Sequence, residues 1–152
     1  MIYVDADACP VKPEVLKVAE RHNLEVTFVA NSGLRPSRDP MIKNVIVSNG
    51  FDAADDWIAD NSDAQAIVIT ADILLADRAL KAGATVLSPT GKPFTTSSIG
   101  SAIATRAIMA DLRAGGEQLG GPAPFSATDR SRFLQALDTA LNALRRRPLT
   151  QF

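Results

Sequence analysis

Ile2-Tyr3-Val4-Asp5-Ala6-Asp7-Ala8-Cys9-Pro10 stands at the head of the chain, and its reading decides the fold. Three apolar residues rich in strand formers are too few for a helix, so Ile2-Tyr3-Val4 predicts a short buried strand. Two aspartates follow directly. Pro10 and Pro13 then signal a helix start, with Val15, Leu16, Val18 and Ala19 as its apolar face. The alternation continues down the chain. Val26-Thr27-Phe28-Val29, Val45-Ile46-Val47, Ala66-Ile67-Val68-Ile69 and Ala84-Thr85-Val86-Leu87 read as four further strands. Phe51 to Asn61 and Asp72 to Ala82 read as helices, and Gly83 fits a C-terminal stop. Residues 31–40 form a Pro- and Arg-bearing loop between the second and third strands. This pattern predicts a three-layer α/β fold: a mainly parallel five-stranded sheet with helices on both faces. Such sheets bind ligands beyond the carboxyl ends of their strands.

After residue 98 the strand signals stop. Ile99 to Arg113 reads as a helix ended by Gly115-Gly116. Phe133, Leu137, Leu141 and Leu144 form the stripe of a last helix, capped by Thr128 and stopped before Pro148. The expectation is one domain, residues 1–152, in which 99–147 form a helical C-terminal extension. A chain of 152 residues can bury roughly 68–70% of its unfolded surface, so its core needs no covalent staple. With 46% apolar and 22% charged residues it is not a disordered chain, and the single Cys9 excludes an intramolecular disulfide. No stretch approaches the ~20 apolar residues of a membrane helix, and the start lacks a basic n-region. A cytoplasmic protein with no membrane partner is expected.

The net charge of −1 conceals a split. Residues 1–77 carry 13 acidic and 6 basic side chains, whereas residues 78–152 carry 4 acidic and 10 basic. The acidic set is also biased, with 13 Asp against 4 Glu. Aspartate is a poor helix-interior residue but a good cap and a compact oxygen ligand.

The aspartates fall at telling places. Asp5 and Asp7 follow the first strand, and Asp72 follows the fourth in Ile69-Thr70-Ala71-Asp72. Asp52, Asp55 and Asp56 share one helical face by their i, i+3, i+4 spacing. If the first and fourth strands are neighbours, these groups converge at one edge. The competing reading for Asp52 and Asp72 is helix capping, worth about 0.5–2 kcal/mol each. Asp60, Asp63 and Asp77 read as surface charges. Four carboxylates at roughly 6 Å and an effective dielectric of about 20 would repel by about 17 kcal/mol in total. That equals or exceeds the ~5–15 kcal/mol stability of a typical domain, so a real cluster must take up a cation or protons. One His and one Cys cannot build a zinc site of nitrogen and sulfur ligands, and all-oxygen ligands select Mg²⁺ or Mn²⁺.

The string Val4-Asp5-Ala6-Asp7-Ala8-Cys9-Pro10-Val11-Lys12 resembles the opening of the uncharacterised bacterial YaiI/YqxD family, which is grouped with the PIN-like nucleases. The likeness runs on through Phe28-Val29-Ala30-Asn31, Gly50-Phe51-Asp52-Ala53-Ala54-Asp55-Asp56-Trp57-Ile58 and Thr70-Ala71-Asp72-Ile73. It resumes at Gly120-Gly121-Pro122-Ala123-Pro124-Phe125 and Asp129-Arg130. Two stretches depart from the family pattern. Ser88-Pro89-Thr90-Gly91 stands where Asn-Pro-Arg-Gly is usual, and Ile73-Leu74-Leu75-Ala76 where Ile-Pro-Leu-Ala is usual. The resemblance implies a PIN-like core with a four-carboxylate metal centre. By motif position Asp5, Asp7, Asp55 or Asp56, and Asp72 would form it.

The function expected on that basis is metal-dependent hydrolysis of phosphodiesters, with RNA ahead of DNA as substrate. Asp5, Asp7, Asp55, Asp56 and Asp72 are the candidate catalytic residues, and Asp5, Asp7, Asp55 and Asp72 the candidate ligands of Mg²⁺ or Mn²⁺. Asn31 and Ser32 at the end of the second strand, with Arg35, Arg38, Lys92, Arg106 and Arg130, are candidates for gripping a phosphate backbone. Aromatic residues are only 5% of the chain, so base stacking is not indicated. The rival readings are a non-catalytic nucleic-acid or small-ligand module of the same fold, and an Asp-x-Asp phosphatase. Cys9 lacks the Cys-x₅-Arg pattern of thiol phosphatases because Val15 occupies the Arg position. His22 reads as a cap or surface residue. The sequence identifies no protein partner and leaves homo-oligomer formation open.

Overall fold

The computed structural model describes residues 1–6, 11–30, 39–47, 53–100 and 126–146. Its strands are β1 (Ile2–Asp5), β2 (Val26–Ala30), β3 (Ile42–Ile46), β4 (Ile67–Ile69), β5 (Thr85–Leu87) and β6 (Pro93–Phe94). The helices are α1 (Lys12–His22), α2 (Ala53–Asn61), α3 (Ile73–Lys81) and α4 (Ala127–Arg146). The six strands form one sheet in the order β3-β2-β1-β4-β5-β6. All pairs are parallel except β5 with β6. The chain starts in the middle of the sheet and builds outward in both directions, which makes β1 and β4 neighbours.

Period-two alternation sorts the strand residues onto two cores. Ile2, Val4, Val26, Phe28, Ile67, Ile69 and Leu87 pack beneath α1 and α4. Tyr3, Val29, Val68 and Val86 face α2 and α3. The three-layer α/β architecture follows directly: the central strands are buried on both sides, so each needs a helix layer on each face. Tyr3 and Trp57 meet edge to face in the second core, with ring centroids 5.5 Å apart.

Helices α1 and α4 lie side by side and parallel. Glu14 pairs with Arg130 and His22 with Asp138, each across the same separation of 116 residues. His22, in the last turn of α1, is therefore not a surface group. Its side chain is 5% exposed, and its Nε2 lies 2.7 Å from Asp138 Oδ1. The hydrogen bond to His22, then the charges of His22 and Arg21, hold the Asp138 carboxyl below its ordinary value of 3.8. A carboxyl depressed in the folded state stabilises the fold above its unfolded value and loses that contribution as pH falls through its folded value. Stability of the wild type is thus expected to fall more steeply than that of Asp138→Asn below about pH 4. Urea denaturation across the acid range measures both slopes, and equal slopes would remove Asp138 from the account.

The sheet has six strands rather than five. Pro93–Phe94 adds a two-residue edge, antiparallel to β5, where a proline is tolerated because its missing donor faces outward. Strand β3 covers Ile42–Ile46 rather than residues 45–47, since Lys43 and Asn44 hide its start in an edge position with one open side. The last helix is capped by Ser126 and not Thr128: Ser126 N–H donates to Asp129 Oδ2 and Asp129 N–H donates to Ser126 Oγ. A second reciprocal cap, between Thr95 and Ser98, starts a helical segment at residue 96 rather than 99. Most of the expected helix up to Arg113 lies outside the described residues. Gly83 at φ +91° confirms the stop after α3. Among the described residues no helix is long and apolar enough to cross a membrane.

Candidate functional site at the carboxyl edge of the sheet

The adjacency of β1 and β4 brings Asp5 and Asp72 to the same edge. Asp5 ends β1, and Asp72 caps α3 three residues beyond the end of β4. They are joined through one side chain. Thr70 Oγ1–H donates to Asp5 Oδ2 at 3.0 Å, and the same oxygen accepts the Asp72 N–H at 2.9 Å. Thr70 is 1% exposed, and its own N–H donates to Leu87 O on β5, so three neighbouring strands fix its position. Asp72 Oδ1 accepts from Leu74 N–H at 2.9 Å and from Leu75 N–H at 3.2 Å. The capping role weighed for Asp72 is therefore present, and it uses one of the two carboxylate oxygens.

Thr70 was not among the sequence candidates, although a hydroxyl two residues before a capping Asp is a readable signal. Replacing it with Val removes a buried hydroxyl that serves both as donor and as acceptor. Thr70→Val is expected to destabilise by about 1–3 kcal/mol, measured by urea denaturation, whereas Thr70→Ser should recover most of the loss. Equal stability of all three proteins would show that the link carries no energy.

The remaining candidates divide clearly. Asp55 is half-buried and Asp56 exposed in the first turn of α2. Asp56 Oδ1 accepts from Arg78 Nη1 at 2.8 Å in an ion pair with both side chains well exposed. Such a pair in solvent stabilises by only about 0–1 kcal/mol. The Asp56 hydrogen bond, opposed by partial desolvation and aided by the charges of Asp56, Asp60 and Asp55, raises the Arg78 pKa. Arg78 thus answers the acidic face of α2 from α3. Arg130 donates from Nη1 to Glu14 Oε1 at 2.9 Å, tying the N-terminal turns of α4 and α1 together. Glu14 Oε2 is buried with no hydrogen-bond partner among the described residues. Lys92 is exposed in the turn after β5, where Ser88 N–H donates to Lys92 O and Lys92 N–H to Ser88 Oγ. Asp7, Asn31, Ser32, Arg35, Arg38 and Arg106 lie outside the described residues. Among the described residues no group of three or more His, Cys, Asp or Glu is arranged to hold a metal ion.

Residues 3–143 match the profile of a family described as "Uncharacterized BCR, YaiI/YqxD family". The chain is 68% identical over 147 residues to the UPF0178 protein of Sphingopyxis alaskensis, covering 96% of each. It is 67% identical over 137 residues to the UPF0178 protein Atu1478 of Agrobacterium fabrum, covering 90% of each. To the UPF0178 protein R01393 of Rhizobium meliloti it is 62% identical over 146 residues, with 96% of this chain and 100% of the relative covered. No solved structure matches the chain. The chain belongs to the bacterial YaiI/YqxD family, whose members carry no assigned activity in these names.

Proposed function

We propose that this member of the YaiI/YqxD family is a divalent-metal-dependent phosphodiester hydrolase acting on nucleic acid, RNA ahead of DNA. The observation that carries the reading is the Asp5–Thr70–Asp72 link across adjacent parallel strands. A buried hydroxyl that holds the Asp5 carboxylate and the Asp72 backbone N–H, with the Asp72 carboxylate fixed by the α3 cap, prepositions two acidic groups at the edge where α/β sheets bind ligands. The donor set fits a hard cation, because every candidate ligand is a carboxylate oxygen and Asp72 Oδ2 makes no hydrogen bond among the described residues. In this reading Asp5 and Asp72, with Asp7 and Asp55, hold Mg²⁺ or Mn²⁺.

When bound, the cation supplies Lewis-acid polarisation of water and of the phosphoryl oxygens. The protein's part is positioning. Thr70 fixes the orientation of Asp5, and the α3 cap fixes that of Asp72. Asn31, Ser32, Arg35, Arg38, Lys92, Arg106 and Arg130 supply the grip on the phosphate backbone. In-line attack of water at phosphorus breaks the bond to the 3′ oxygen, which takes a proton, leaving a 5′-phosphate and a 3′-hydroxyl.

The test uses labelled single-stranded RNA, structured RNA and DNA with Mn²⁺ or Mg²⁺, comparing the wild type with Asp5→Asn and Asp72→Asn. Cleavage by the wild type and its loss in both variants is the expected result. The thermal midpoint of the wild type should also rise with Mn²⁺, and that rise should shrink in both variants. A wild type that cleaves no better than the variants and shows no metal-dependent shift would overturn the enzymatic reading.

A further inference from the structure

A groove of about 780 Å³ runs between α4 and the β5–β6 ribbon. That volume lies within the ~300–1,000 Å³ range of small-molecule sites. Its existence is a consequence of side-chain size. Ala136, Ala140 and Ala143 recur at i, i+4 and i+7 on one face of α4 and leave space against Thr85 and Leu87. The groove is not uniform along its length. Lys92, Arg132 and Asp129 lie at the end nearest the carboxyl edge, and the aliphatic lining extends toward Ala143. From Arg132 to Ala143 the helix advances about 16 Å at ~1.5 Å per residue.

The charges at the mouth do not cancel. Arg21, Lys43, Arg78, Lys81 and Arg130 are each ion-paired, whereas Lys92 and Arg132 form no ion pair among the described residues. Asp129 is committed to the α4 cap through Ser126, and both cations act on it through space. Two cations and one carboxylate leave one net positive charge, which complements a monoanion. Lys92, read from sequence as a phosphate contact, is thus seated at the head of an apolar trough.

We propose that this groove binds a small carboxylic acid with an apolar body, its carboxylate between Lys92 and Arg132 and its hydrocarbon part along Ala136, Ala140 and Ala143. The site lies on the α1–α4 face and uses neither Asp5 nor Asp72, sharing only Lys92 with the proposed phosphate grip. Decanoate is a suitable probe, since its extended chain is shorter than the trough, with acetate and 1-decanol as controls for head and tail alone. Calorimetric titration of the full chain should give one decanoate per protein, with acetate and decanol at least tenfold weaker. Arg132→Gln and Lys92→Gln should each weaken decanoate about tenfold. Thr139→Trp, at an exposed rim position where no core contact is lost, should block it. Binding of decanol as tight as decanoate, several decanoates per chain, unchanged affinity in Arg132→Gln, or no binding would each overturn the proposal.

Discussion

Phe133→Ala is expected to lower the stability of the fold by about 3–5 kcal/mol, the loss typical of truncating a fully buried aromatic residue. Phe133 is 0% exposed and belongs to the core between α1, α4 and the sheet, with Leu137 and Leu141 on the same stripe. Two terms act together. The ring loses its transfer free energy, and a cavity remains because the surrounding residues relax only partly. The neighbours that would have to fill it come from rigid elements: Ile2, Val4, Ile67 and Ile69 on central strands, and Val15 and Val18 on α1. Against a total stability of ~5–15 kcal/mol for an ordinary domain, such a loss approaches unfolding. Urea denaturation of the wild type, Phe133→Leu and Phe133→Ala would measure it, with Phe133→Leu losing the smaller part. A loss under about 1 kcal/mol would mean that α4 is an appendage.

That expectation bears on the organisation of the chain. Read as sequence, residues 99–147 look like an extension added to a complete α/β unit, because strand signals end before them. The described part of that segment, α4, packs with α1 over one face of the sheet. Among the described residues, the face formed by Ile2, Val4, Ile67, Ile69 and Leu87 would without α4 be left to α1, which contributes only Val15, Val18 and Ala19 as buried side chains. Periodicity reported the helix correctly, since the stripe Phe133, Leu137, Leu141 was plain. It could not report which layer the helix completes, because that depends on a pairing 116 residues apart.

The same limit separates what was legible at the edge from what was not. Strand runs and helix starts are local, so five strands, the third of them displaced, and their mainly parallel sense followed from Ile2-Tyr3-Val4 and its successors, whereas the strand order did not. Strand β6 escaped because two residues containing a proline carry no periodic signal. At the site, the positions of Asp5 and Asp72 were readable from strand ends, but their connection was not. Thr70 acts by reaching sideways across the sheet to Asp5, 65 residues away in sequence. His22 failed for a related reason: its burial depends on Asp138 arriving from α4. The charge split has also become specific. Part of the acidic excess is neutralised within the fold by Arg78 on Asp56, and part of the basic excess is spent by Arg130 on Glu14.

Gly91→Ala is expected to destabilise by about 2–5 kcal/mol, more than Gly83→Ala, although both glycines adopt positive φ. At φ +86° and +91° respectively, a side chain at either position meets the left-handed penalty of about 1–2 kcal/mol. The surroundings then differ. A Cβ at Gly83 would lie 3.7 Å from Ala64, an ordinary contact. A Cβ at Gly91 would lie 2.7 Å from both the carbonyl carbon and oxygen of Arg132 and 2.9 Å from the Phe133 nitrogen. These are backbone atoms in the middle of a helix whose Phe133 is locked in the core, so they cannot yield as a flexible side chain would. Overpacking of this kind adds about 1–3 kcal/mol. Relief requires moving the β5–β6 turn away from α4, and that turn carries Lys92. Gly91→Ala should therefore also displace Lys92 from the groove mouth, whereas Gly83→Ala, in the turn that follows α3, should not. Denaturation curves for both variants, with amide chemical shifts of residues 88–94 as a local readout, separate strain from clash. Equal losses in the two variants would mean that the close approach of the turn to α4 carries no cost, and with it would go the account of why Gly91 holds the ribbon against the helix.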